Sequence, residues 1–132
     1  MDDAEKIVAD IIWFNDCKHP NNSVVKASEV IDHVANRCYR IAETHGFHAM
    51  DRSVAEALCL IHSEISEALE SIRGDNPEST QCPGRSNFSV ELADAVIRIF
   101  DLAGVMEIPI GEVIIEKMLF NNNRPFMHGK KF

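Results

Sequence analysis

At 132 residues the chain is long enough to bury a real core and has room for one domain of ordinary size. Hydrophobic residues make up 45% of it, a globular composition, and 13 Lys and Arg against 21 Asp and Glu leave a net charge of −8. That balance excludes proteins that wrap nucleic acid or coat anionic membranes, because both partners reward a basic surface. No apolar run approaches the ~18 residues of a membrane span, and the start Met1-Asp2-Asp3 is acidic where a signal peptide is basic. The expectation is a soluble, cytoplasmic protein with neither a membrane nor a long nucleic acid as partner.

Apolar residues recur with a period near 3.6 and almost nowhere with a period of 2, so the chain reads as all-α. Ala4, Ile7, Val8, Ile11 and Ile12 predict a short amphipathic helix within residues 3–15, ended by the turn-forming run Asn15–Asn22. A second helix begins near Ser28 with Val30, Ile31, Val34, Cys38, Ile41 and Ala42 on one stripe, and Gly46 stands where a C-terminal cap belongs. The third runs from about Ser53 to Ile72, with Val54, Leu58, Ile61, Ile65, Leu69 and Ile72 as its apolar stripe. Residues 74–88, with two Pro and two Gly, read as a loop long enough to be functional or mobile. A fourth helix spans about Ser89 to Ala103, and a fifth follows Pro109 to about Asn122. The organisation expected is a single all-α domain over 1–132: an N-terminal helix and linker (1–22), a core bundle of four to five helices (23–122) and a basic tail (123–132).

The fourth helix is the most informative segment. Its polar residues fall at Glu91, Asp94, Arg98 and Asp101, spacings of three and four that set all of them on one narrow strip of an otherwise apolar cylinder. Such a strip faces either solvent or an internal polar cleft. The third helix offers a counterpart in Glu64 and Glu67, one turn apart, with Glu70 a turn further on. Carboxylates converging from both helices would repel, and some would protonate unless a cation sat among them. Hard divalent cations take oxygen ligands, and Mg²⁺ commonly combines a few carboxylates with substrate phosphates. A ferritin-like di-iron site needs Glu-x-x-His, and no His stands three residues after a Glu in this chain.

Charge is unevenly spread. Residues 1–116 hold 9 basic and 21 acidic side chains, a balance of −12, whereas 117–132 hold Lys117, Arg124, Lys130 and Lys131 and no acid. Lys117, Asn121 and Arg124 share a helical face, and such donors suit phosphate oxygens; they also complement a helix C-terminus. The four cysteines show no metal-ligand spacing and read as free thiols. His33, His45 and His62 read as packing or surface residues, and His19 as part of a loop.

Glu64-Ile65-Ser66-Glu67, Glu91-Leu92-Ala93-Asp94 and the downstream Lys117, Asn121 and Arg124-Pro125 together resemble the MazG-like all-α nucleoside triphosphate pyrophosphohydrolases, over about residues 28–130. The resemblance implies a helical bundle of that type, a homodimer or homotetramer, and hydrolysis of a nucleoside triphosphate to the monophosphate and pyrophosphate. By it Glu64, Glu67, Glu91 and Asp94 would hold Mg²⁺, with Mn²⁺ as its substitute, and Glu67 or Glu70 would take the proton of the attacking water. Lys117, Asn121 and Arg124, with His128 and Lys130, would meet the phosphates, and Tyr39 and His48 would neighbour the base. Two features depart from the family pattern. Ser63 precedes Glu64 where many members carry a second Glu, and His48 follows Gly46-Phe47 where members often have Trp. The alternative left open is a helical module that binds nucleotides or partners without turnover.

Overall fold

The computed structural model describes residues 27–125 and Gly129. The expected helix within residues 3–15, and the tail residues His128, Lys130 and Lys131, lie outside the described residues. Among them are four α-helices and no β-strand: α1 (Ala27–Thr44), α2 (Val54–Arg73), α3 (Asn87–Val105) and α4 (Ile110–Asn122), with a 3₁₀ turn at Phe47–Ala49. The all-α expectation holds, and no helix among these residues is long and apolar enough to cross a membrane. The described residues divide into two compact units, one of Ala35–Ile108 and one joining residues 27–34 to 109–125.

The larger unit is organised by the α2–α3 pair. Ser53 starts α2 with a capping box: its hydroxyl accepts from the Glu56 N–H while the Glu56 carboxylate accepts from the Ser53 N–H. Ser86 caps α3 by accepting from the Ser89 N–H, which starts that helix at Asn87. The segment between them is a closed turn rather than an open loop. Glu78 and Ser86 form an antiparallel bridge, the Ser79 N–H donates to the Arg85 carbonyl at 2.8 Å, and the Asn76 side chain accepts from the Phe88 N–H. These bonds use the polar turn residues on one another and return the chain so that α3 runs antiparallel to α2. Ser71 meets Asn87 near one end, and Glu64 meets Arg98 further along.

The surface on which the two helices meet is not the one the periodicity predicts. On α2 the buried residues are Glu64, Ala68 and Ser71. The large stripe of Val54, Leu58, Ile65, Leu69 and Ile72 is 45–52% exposed. At about 100° per residue those five lie within a ~60° arc, roughly 100° round from the buried face. On α3 the buried residues include Glu91 and Ala95, while Leu92, Val96, Ile97 and Ile99 are exposed. Apart from Val90, which is buried on α3, the buried side chains of the pair are small or carboxylate, and most of the bulky aliphatic ones are exposed.

At the C-terminus of α1, Gly46 takes φ +80°. This left-handed conformation suits glycine and redirects the chain into the 3₁₀ turn that carries His48. Gly104 marks the closest approach of α3 to α1, since a Cβ there would stand 2.8 Å from Tyr39 ring and Cβ atoms. In the smaller unit, α4 lacks a cap from its own sequence, Pro109 having no donor or acceptor side chain. Asp32 supplies one, accepting from the Gly111 N–H at 2.7 Å. A Cβ on Gly111 would clash with the Ser28 carbonyl and the Asp32 carboxylate.

Candidate metal centre

Glu64 and Glu67 come from adjacent turns of α2 and Glu91 from the first turns of α3. One carboxylate oxygen from each lies within 4.8 Å of the others. Glu64 and Glu91 are buried and Glu67 is exposed, so the group is walled by protein on one side and meets solvent on the other. The i, i+3 spacing sets the two α2 carboxylates side by side, and the antiparallel pairing supplies the third.

Three of the four polar residues of the α3 strip are paired with other side chains; Glu91 is buried, and Asp94, Arg98 and Asp101 are half-buried. Glu91 accepts from the Asn87 amide at 3.1 Å, and the same amide donates to the Ser71 hydroxyl. Arg98 donates through Nε to Glu64 Oε1 at 2.5 Å. Asp101 lies 2.7 Å from His48 Nε2; a carboxylate only accepts, so that nitrogen carries the proton. Asp94 is half-buried one turn beyond Glu91, outside the three that converge.

The electrostatics follow from this crowding. Burial, then the neighbouring charges of Glu67 and Glu64, push the Glu91 carboxyl above its ordinary range, against a smaller opposing effect of the Asn87 bond. Burial and the charge of Glu64 raise Asp94 as well, with Arg98 opposing. Arg98 is the single cation among the described residues that pairs with the converging carboxylates. Oxygen-only donors, two of them buried, with excess negative charge and room for one small ion between them, fit a hard divalent cation.

Beside the strip the larger unit holds a cavity of about 430 Å³, lined by Phe47, His48, Met50, Arg98, Asp101 and Leu102 among others. A second of about 240 Å³ shares Arg98 and Asp101 and is lined also by Asp94 and Cys38. The Tyr39 and His48 rings lie 4.6 Å apart, tilted by 34°. His48 Nδ1 is buried and has no partner among the described residues. The expected base neighbours thus stand together, bonded through Asp101 to the strip that carries Glu91.

Other expected residues are not among these groups. Glu70 is 79% exposed on α2, 4.0 Å from Arg73, and is not one of the converging carboxylates. Lys117, Asn121 and Arg124 are exposed at the end of α4 in the smaller unit. There Lys117 and Arg124 both lie over the Phe120 ring, the former at 4.4 Å. Sequence reasoning gave no role to Asn87, which orients Glu91, nor to the pairing of Arg98 with Glu64. The signal for Asn87 was its place one turn before Glu91; the Arg98 pairing depends on helix register that spacing does not specify.

Among protein-family models, curated proteins and solved structures, none matches this chain.

Proposed function

We propose that this chain is a divalent-cation-dependent nucleoside triphosphate pyrophosphohydrolase of the cytoplasm, acting on nucleotides such as dNTPs. The observation that carries the reading is the convergence of Glu64, Glu67 and Glu91 from two packed helices, with Glu91 held above its ordinary pKa. Bound there, Mg²⁺ or Mn²⁺ would neutralise phosphate charge and lower the pKa of a water. Glu64 and Glu91 would be the buried ligands, Glu91 oriented by the Asn87 amide. Glu67 is the exposed member of the group and would take the proton of the water. Hydrolysis consumes that water, breaks one P–O bond of the α–β bridge and releases the monophosphate and pyrophosphate. The cavity beside His48 and Asp101 offers an aromatic wall and hydrogen-bonding groups of the kind a nucleobase uses. Lys117, Asn121 and Arg124, with His128 and Lys130 of the tail, are the proposed phosphate partners.

The test is pyrophosphate release from a panel of dNTPs with Mg²⁺. Glu64→Gln is expected to reduce it at least ~100-fold, since even the outer partners of metal ligands are worth 10–100-fold. Absence of release from the wild type, or equal release from the variant, refutes the enzymatic reading. One observation favours a module that binds without turnover: Ser63 stands where a further carboxylate would extend the group. That module would be stabilised by nucleotide and Mg²⁺ while releasing no product.

We also propose that the chain works as a homodimer or homotetramer. The exposed stripes of α2 and α3 are each displaced by roughly 100° in the same rotational sense from their shared seam, and in an antiparallel pair such displacements fall on one side. Eight large side chains, Val54, Leu58, Ile65, Leu69, Ile72, Leu92, Val96 and Ile99, are exposed on that side. At on the order of 100 Å² for each fully buried, their open half amounts to roughly 400 Å². That is about the apolar share of a stable interface, which takes about 800 Å² per partner.

A further inference from the structure

We infer that Arg98 is a built-in counter-cation, which holds Glu64 in the metal-free protein and must be displaced when a divalent ion binds. The inference rests on the metal-centre reading above and concerns what regulates that site. Glu64 is buried, and an unpaired buried carboxylate is costly, so some cation must accompany it. That cation is Arg98, bonded through Nε to one Glu64 oxygen. This end-on contact is not the two-point fork that makes arginine–carboxylate pairs most durable. The Glu64 carboxylate is also one of the three whose oxygens converge within 4.8 Å, so the guanidinium and a metal would draw on the same small anion.

Arg98 also has somewhere to go. Its side chain is partly exposed and lines both the 430 Å³ and the 240 Å³ cavities. In the smaller one it keeps company with Asp94 and Asp101, carboxylates that would accept a released guanidinium. A structural arginine would instead be enclosed, and its loss would harm metal binding by leaving Glu64 misplaced. The two roles therefore predict opposite signs.

Mn²⁺ affinity, measured by calorimetry on the full chain, separates them. Arg98→Met removes the competitor and is expected to bind Mn²⁺ about tenfold more tightly than wild type, the equivalent of one modest ion pair. Arg98→Lys retains a competing charge and is expected to stay near wild type. Equal or weaker binding by Arg98→Met overturns the displacement. Should that variant not fold, the wild type decides the matter through its ¹⁵N-labelled arginine side chains. The Arg98 Nε–H resonance, protected by the Glu64 bond, is expected to shift and broaden on saturation with Mg²⁺; an unmoved resonance on a metal-loaded protein overturns the proposal. If the wild type and Arg98→Met both bind no Mn²⁺, the metal centre itself is refuted and the counter-cation falls with it. Tight wild-type binding with an unmoved Arg98 refutes the counter-cation alone.

Discussion

The seam between α2 and α3 and the outer stripe of the same two helices form an inverted pair. The seam buries Glu64, Ala68, Ser71, Glu91 and Ala95, whereas the outer face presents Leu58, Ile65, Leu69 and Val96 about half-exposed. A helix pair optimised for its own stability would do the reverse, since burying one such aliphatic side chain is worth ~1.5–3 kcal/mol and burying a charge costs free energy. The inversion shows that apolar periodicity identifies the face a helix can bury, not the one a neighbouring helix in the same chain uses. Here the contact within the chain is given over mostly to carboxylates and small residues, and much of the bulky apolar surface stays exposed.

The contrast is broken most forcefully from the outer side. Ile65→Asp puts a charge in the middle of the exposed stripe without touching the seam. If a second copy covers that stripe, the variant is expected to fall from a multiple of 14.8 kDa to a single chain in light scattering, with several kcal/mol lost from the assembly. A wild type that already runs as one chain, or a variant that associates unchanged, removes the proposed role of the stripe. Next in size is Gly104→Ala at the α1–α3 contact. Its new Cβ would stand 2.8 Å from Tyr39, and overpacking of this kind costs about 1–3 kcal/mol. Chemical denaturation should read that loss, together with a disturbed Tyr39–His48 contact; an unchanged midpoint would mean that the two helices can part freely.

The smallest effect tests the seam itself. Glu91 and Asp94 both have carboxyls raised in the folded chain, so folding favours their protonated forms. Their contribution to stability is fully present below the ordinary values of 4.5 and 3.8 and is lost as pH rises through the raised folded values. Without metal, lowering the pH from neutral toward that range should therefore recover stability at these two positions. Thermal melts of the wild type against Glu91→Gln would show it as a difference that narrows with falling pH. Added Mg²⁺ should stabilise the wild type most at neutral pH and progressively less in mild acid. A Mg²⁺ increment independent of pH would separate the cation from these carboxyls.

Much of the helical content was legible in the sequence because it is local. Ser53 with Glu56 forms a capping box, Gly46 ends α1, and the turn residues of 74–88 close on one another; each acts over a few positions. The pairing of Glu64 with Glu67 and the narrow α3 strip followed from helical spacing in the same way. The tie between Arg98 and Glu64, 34 positions apart, was not legible, nor was the one between His48 and Asp101, 53 apart. Nor was the cap that Asp32 lends to α4, because Pro109 gives no hint of an acceptor elsewhere. These depend on how the helices are rotated about their axes and where they are set along one another, which periodicity leaves free.

By itself the sequence determined that the chain is helical, where most of its helices start and stop, and that carboxylates recur on single faces of two of them. Those are consequences of 3.6-residue geometry and capping chemistry, which each segment carries alone. Tertiary structure decided that the carboxylate faces meet each other and that the bulky apolar faces do not. Small side chains at Ala68 and Ala95 let the seam close, and close approach brings Glu64, Glu67 and Glu91 together. The opening balance of −8 thereby becomes a local fact: a concentrated negative charge between two helices, with one arginine standing in for a cation.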